Sequence, residues 1–252
     1  MARKIHSGVL TVLLHLMALT SLFALGSPDI TAALPSADDV IAMVAQHDMQ
    51  RQSALQGYTG ARLMVLENFK HHKRAEMRVS VICHKDGSKE FEIVSSSGWG
   101  GAKKYVFPKL LEAEVEASRP GSPEDSRLTP DNYSFKMLRA EDVDGRKTYA
   151  IEVTPKKDKK YLMRGTVWID ANEFAIVRVE GQPAKNPSFW VKKTEFARRY
   201  EKQGSFWFPV SNISASEVRF FGRTDLTINY MDYVVNGPVT LASGNPQGTR
   251  PR

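Results

Sequence analysis

Beyond Gly57 the apolar residues change from a helical spacing to a period of two, and this alternation returns about ten times before the chain ends. Leu63 to Leu66, Ala75 to Cys83 and Glu90 to Ser95 form the first three segments, and in the second Met77, Val79, Val81 and Cys83 alternate with Glu76, Arg78 and Ser80. Seven more follow: Tyr133 to Arg139, Lys147 to Thr154, Leu162 to Ile169, Phe174 to Glu180, Phe189 to Tyr200, Phe206 to Ser214 and Val218 to Val235. Turn chemistry separates them at Asp86-Gly87, Asp144-Gly145, Lys156 to Lys160, Asp170 to Glu173, Gln203-Gly204 and Phe221-Gly222. Short connections make neighbouring strands antiparallel, and about ten strands curl rather than lie flat, which creates a concave face.

Two stretches keep a helical period. Ser36 is placed to cap a helix, Asp38 and Asp39 suit its positive end, and Val40, Ile41, Met43, Val44 and His47 make one face, with an end expected near Leu55. Between the third and fourth strands, Val106, Leu110, Leu111 and Val115 form an apolar stripe within Tyr105 to Ser118, with Glu112, Glu114 and Glu116 on the other faces. The expected fold class is therefore α+β: a large curved antiparallel sheet with an N-terminal helix and an inserted helix covering the concave face.

The ends of the chain differ from its middle. Arg3 and Lys4 precede an apolar run from Val9 to Leu25, and Ala24-Leu25-Gly26 offers small residues for cleavage, so residues 1–26 are expected to be a signal peptide. The run is shorter than the roughly 20 residues a bilayer span needs. Residues 27–35 then form a tether, 36–236 one domain and 237–252 a tail rich in Gly, Pro, Ser and Arg. A soluble periplasmic protein is expected, most simply a monomer. The single cysteine, Cys83, excludes an intrachain disulfide and reads as a small buried hydrophobe. Losing Arg3 and Lys4 takes the net charge from +7 to +5, a balance that suits anionic partners such as lipid headgroups. Nucleic acid is not expected for an exported chain, and Lys156, Lys157, Lys159 and Lys160 read as a solvated hairpin tip.

Catalytic signatures are sparse. Asp170 and Glu173 lie within reach of each other, but a catalytic pair needs a cleft that drives two pKa values apart, whereas Asp170 and Asn172 are the residues a turn selects. In a four-residue loop Ile169 would face Phe174 and Val167 would face Ile176, with Trp168, Ala175 and Val177 on the other side. No nucleophile elbow, zinc-protease motif, phosphate loop or dinucleotide fingerprint occurs. Ser95, Ser96 and Ser97 with His84 have no orienting acid, and His71 and His72, adjacent on a loop, point apart. No enzyme, cofactor or metal site is expected.

The hairpin GTVWIDANEFAIVRVEG from Gly165 to Gly181 has companions in Pro187 to Trp190, in YEKQGSFWFP from Tyr200 to Pro209 and in LTINYMDY from Leu226 to Tyr233. With the order of elements over residues 36 to 235, these resemble the periplasmic lipoprotein-carrier superfamily of LolA and LolB, which includes the sigma-factor regulator RseB, and more narrowly the outer-membrane lipoprotein-sorting proteins. The resemblance implies a half-barrel whose apolar concave face, closed by helices as a lid, holds acyl chains. Such a trough needs no catalytic group, since each buried methylene contributes ~0.8 kcal/mol. Carriers of this type have an arginine-proline segment followed by aromatics in an early strand, and that arginine bonds to the lid. Here the region reads RAEMRVSVIC; Arg62, Arg74 and Arg78 stand near it and none matches the motif.

Strand parity nominates Met64, Leu66, Met77, Val79, Val81, Phe91, Ile93, Trp168, Val177, Phe206 and Phe208 for the trough, and Val40, Ile41, Val44, Leu110 and Leu111 for the lid. The function implied is a carrier of lipoprotein or lipid acyl chains to the outer membrane, in transient contact with a membrane or membrane proteins. The alternative is an RseB-like regulatory or sensor module for a membrane protein partner, and an envelope hydrolase ranks below both.

Overall fold

The computed structural model describes residues 34–120, 126–159, 161–186 and 188–237. The expected signal peptide, residues 27–33 of the tether and the tail beyond Gly237 lie outside the described residues. The chain opens with α1 (Ala37–Ala54), β1 (Gly57–Asn68), β2 (Lys73–His84) and β3 (Lys89–Gly98). A π-helical turn (Ala102–Val106) then leads into α2 (Phe107–Ala117). The strands β4 (Tyr133–Val143), β5 (Arg146–Pro155), β6 (Met163–Asp170), β7 (Ile176–Pro183), β8 (Val191–Gln203), β9 (Phe206–Val218) and β10 (Gly222–Val235) complete it.

All ten strands form one open, curved antiparallel sheet in the order β3-β2-β1-β10-β9-β8-β7-β6-β5-β4. Every hairpin neighbour in sequence is a neighbour in space except at the β3 to β4 connection, which runs between opposite edges. Pairing of β1 with β10 brings the first and last strands together in mid-sheet, and the Asn236 N–H donates to the Gly57 carbonyl there. β1 begins at Gly57, six residues before the expected Leu63, because the stretch before Arg62 pairs through its backbone without an alternating pattern.

Both helices lie on the same face. Ser36 caps α1 by accepting from the Asp39 N–H at 3.1 Å, and Ala37, Val40, Ile41 and Val44 pack on Tyr133, Ile151, Val153, Val167, Ile169 and Val179 of β4 to β7. α2 buries Phe107 and Leu111, with Ala102, against Met64, Leu66, Ala75, Met77 and Val79 of β1 and β2. The helices thus cover the two ends of the concave face and leave its centre between them.

Two glycines of the Gly165–Gly181 motif have a steric reason. Gly165 pairs with Gly181, and a Cβ on Gly165 would stand 2.0 Å from the Glu180 carbonyl oxygen, while one on Gly181 would stand 2.3 Å from that of Arg164. Backbones approach there more closely than any side chain allows.

Candidate functional site

The hairpin between β6 and β7 is structural. Asp170 is 2% exposed, and its Oδ1 accepts from the N–H groups of Asn172 and Glu173, both at 2.9 Å. Glu173 accepts from Lys202 Nζ at 2.8 Å and Trp207 Nε1 at 3.1 Å, and the hydrogen bond from Lys202 is the main cause of its lowered pKa. Arg51 of α1 donates to the carbonyls of Glu173 and Phe174, holding the loop against the helix. The register is Ile169 to Ile176 and Val167 to Val179, not the Ile169 to Phe174 and Val167 to Ile176 expected: the loop runs two residues longer, through Phe174 at positive φ, and a bulge between Trp168 and Ile169 adds a third residue of slip.

One register row crosses the concave face from β4 to β2: Met137, Ile151, Val167, Val179, Arg198, Asn212, Ile228, Met64, Met77. It is apolar at both ends and polar at its centre. Arg62 lies on the same face as Met64, is 4% exposed and donates to both carboxylate oxygens of Glu114 on α2, at 2.6 and 2.8 Å. Its guanidinium sits between the rings of Phe91 and Tyr230, 4.9 Å from each centroid. Lys89 Nζ adds a third bond to Glu114 at 2.8 Å. Burial alone would raise the Glu114 carboxyl, but hydrogen bonding from Arg62 and the charges of Lys89 and Arg62 bring it down to about 2.

This pair was set aside in the sequence, where Glu114 reads as solvent-facing and Arg62 as matching no motif. The signal was present: Arg62, Met64 and Leu66 share parity, and Phe107, Leu111, Glu114 and Ser118 share one helical face. Arg74 and Arg78 stay on the surface, paired with Glu67 and Glu76 and with Asp232.

Beside the α1 cluster a concave-face cavity of about 370 Å³ lies over β6 to β8, walled by Leu128, Tyr133, Leu162, Val167, Ile176, Val179 and Phe196, with Arg198 and Tyr200 at its polar side. A second, of about 300 Å³, adjoins it at Ile176 and Tyr200 and reaches Phe206 and Phe208. A wider groove of about 750 Å³ is lined by the charged Glu152, Glu180, Glu195 and Arg164, of the opposite parity, together with apolar residues such as Ala197, Ile213 and Ala215.

The nominated residues separate accordingly. Met64, Leu66, Met77 and Val79 are packed under α2, and Val81, Phe208, Phe91 and Phe206 form the neighbouring cluster around Tyr58 and Cys83. Trp168 and Val177 must be corrected: they face the other side of the sheet with Ala150, because alternation puts them opposite Val167 and Ile169. Ile93 is 52% exposed on the edge strand β3, and Leu110 is 37% exposed because α2 turns Phe107 and Leu111 inward instead. Val40, Ile41, Val44 and Leu111 are buried beneath their helices.

At one end of the sheet the loops carry aromatics into solvent. Phe69, Phe189, Trp190, Phe220 and Phe221 are 44–76% exposed. Trp190 contacts both Phe189 and Phe220, while Arg219 lies over Phe189 and Arg223 over Phe69. His71 meets Phe221 edge to face there, and His84 instead pairs with Glu90 at 2.9 Å. Among the described residues no group of three His, Cys, Asp or Glu side chains could hold a metal ion, and no helix is long and apolar enough to cross a membrane.

A model for a family of unknown function, DUF5686, matches residues 126–236, the stretch from just before β4 through β10. No curated protein matches the chain. Similar solved structures include a LolA superfamily protein from Nitrosomonas europaea, 11% identical with a TM-score of 0.44, covering 81% of this chain and 96% of that one. A putative outer membrane lipoprotein-sorting protein domain from Vibrio parahaemolyticus is 13% identical with a TM-score of 0.45, covering 79% and 93%. The MucA/MucB complex of Pseudomonas aeruginosa gives 9%, 0.28, 80% and 99%. The superfamily named among them is the one the Gly165 to Gly181 hairpin resembles; the fold class itself stands on the sheet order and helix packing above.

Proposed function

We propose that this chain is a non-catalytic periplasmic binding protein that holds the acyl chain of a lipid or lipoprotein against its concave face and carries it to the outer membrane. The observation that carries this reading is the concave cavity of about 370 Å³, apolar over most of its wall and left open between two helices that elsewhere close the same face. Its size falls in the ~300–1,000 Å³ range of small-molecule sites. Each methylene that leaves water for such a wall contributes ~0.8 kcal/mol, which is enough to hold a lipid without any reaction.

The exposed aromatic and basic loops supply the membrane contact. Phe and Trp side chains settle at the boundary between headgroups and acyl chains, and Arg219, Arg223 and Lys70 suit anionic headgroups. The Arg62–Glu114 pair is the latch that holds α2 down over its half of the face.

The test is native mass spectrometry of the protein purified from periplasm without detergent, followed by organic extraction. A lipid or acylated peptide in stoichiometric amount is the expected result. A bare protein that also fails to take up a fluorescent fatty acyl probe would refute the carrier reading and leave a scaffold for a protein partner.

A further inference from the structure

Arg198 is the one charged member of the concave register row, and among the described residues it has no carboxylate as a direct partner. Its neighbours along that row are Val179 on β7 and Asn212 on β9, and its neighbours of like parity on β8 are Phe196 and Tyr200. The Nε–H donates to Asn212 Oδ1 at 3.3 Å and the Tyr200 side chain hydrogen-bonds beside it, both neutral partners, and among the described residues Arg198 makes no ion pair. Glu114, the carboxylate beneath α2, is already held by Arg62 and Lys89. Among the described residues, this part of the face carries the cations Arg62, Lys89 and Arg198, and Glu114 is paired with the first two. Arg198 also lines the open cavity, whose other walls are mainly apolar.

We infer that this cavity selects an amphiphile with an anionic head, whose carboxylate or phosphate pairs with the Arg198 guanidinium while its chain lies along Val167, Val179, Leu162 and Phe196. The inference rests on the binding reading above and names its ligand class. The physical reason is a sign. A neutral chain that filled the cavity would strip water from an unpaired guanidinium and bear that desolvation cost, whereas an anionic head replaces the lost water with charge-assisted hydrogen bonds. Arginine suits the task because its planar donors match a carboxylate or phosphate in pairs and stay charged when dehydrated. At ~30 Å³ per group the size of a water molecule, the cavity holds about a dozen methylene-sized groups, so one medium-length chain fits.

The test is calorimetric titration of the lipid-stripped protein with dodecanoate, dodecyl phosphate, dodecan-1-ol and inorganic phosphate, in the wild type and in Arg198→Met and Arg198→Lys. The wild type should bind one or both anionic amphiphiles at least about tenfold more tightly than the alcohol. Arg198→Met should abolish that preference while keeping the alcohol, and Arg198→Lys should keep part of it, which separates lost charge from lost packing. Whichever of the carboxylate and the phosphate binds more tightly identifies the head. Binding of both anionic amphiphiles by the wild type no more tightly than the alcohol, or an unchanged preference in Arg198→Met, would overturn the inference and leave the carrier reading standing. Inorganic phosphate binding as tightly as dodecyl phosphate would reduce the site to a plain anion site and also overturn it. Failure of every amphiphile to bind would remove the carrier reading and the inference together.

Discussion

Replacing Glu114 by glutamine tests whether the polar centre of the concave face is held by one particular charge. The side chain of Arg62 is 5% exposed and that of Glu114 33% exposed, so the two ends of the pair are unequal. Glu114→Gln keeps the shape but leaves a buried guanidinium without its anion. Breaking a fully buried pair in this way costs ~3–5 kcal/mol. The exposure of Glu114 and the retained rings of Phe91 and Tyr230 reduce this to about 2 kcal/mol here. Arg62→Met places an apolar chain between the same rings and leaves Glu114 with Lys89 and water, so it should cost about 1 kcal/mol or less. The double variant should resemble Arg62→Met alone, giving a coupling energy near 2 kcal/mol. Urea unfolding at neutral pH measures all three, and for a chain of this size each kcal/mol moves Tm by ~2–4 °C. The pH dependence fixes the sign. The folded-state pKa of Glu114, about 2, lies below its ordinary 4.5, so its stabilisation is complete above the ordinary value and fades as pH falls toward 2. The gap between wild type and Glu114→Gln should narrow over that window. If Glu114→Gln costs no more than Arg62→Met at neutral pH, the desolvated guanidinium is not what Glu114 stabilises and the reasoning fails.

Gly165→Ala should lower stability by roughly 3 kcal/mol, because its Cβ would meet the Glu180 carbonyl; a thermal melt within a degree or two of wild type would contradict that close approach. The Cys83 thiol is buried, and burial raises its pKa, so its reaction with a disulfide reagent at pH 8 should track unfolding in urea rather than begin in the native state. Phe189→Ser combined with Phe220→Ser should lower partitioning onto vesicles containing anionic phosphatidylglycerol by at least about tenfold while leaving the melt unchanged. Sedimentation of the variant at the wild-type level, or absence of wild-type binding, would remove the aromatic loops from the membrane contact.

The strands were legible where side chains alternate cleanly, as in Met77, Val79, Val81 and Cys83 of β2, and the hairpin order followed from turns such as Asp144-Gly145. What periodicity could not supply was pairing between strands distant in sequence. The union of β1 with β10 sets which residues share the concave row, and nothing local to Met64 or Ile228 announces it. The bulge after Trp168 was equally hidden, and because both faces of the hairpin are apolar nothing local showed which of them turns to the concave side, which misplaced Trp168 and Val177. The charged centre was missed for a different reason. Period-two reading assigns arginine to solvent by type, yet Arg62 and Arg198 occupy positions that parity gives to Met64 and Phe196.

The order of the strands explains why those charges meet a helix at all. Because β1 and β10 join in mid-sheet, the free edges are β3 and β4, and these are consecutive in the chain. Residues 99–132 must therefore connect one edge to the other, and on its way this connection lays α2 across the concave face. The roof is tied to the sheet at both ends, so it can lift only as far as its connections allow. α2 itself buries only Phe107 and Leu111, with Ala102 ahead of it, whereas α1 buries Ala37, Val40, Ile41 and Val44. Fewer apolar contacts make α2 the helix of lower local stability, and a larger share of its hold falls to Glu114. Raising α2 then requires separating Glu114 from Arg62 and Lys89, while α1 and its cluster over β4 to β7 stay packed. The ion pair thus holds α2 to its own half of the face, while Arg198 lines the open cavity beside it, where the proposed ligand head would sit.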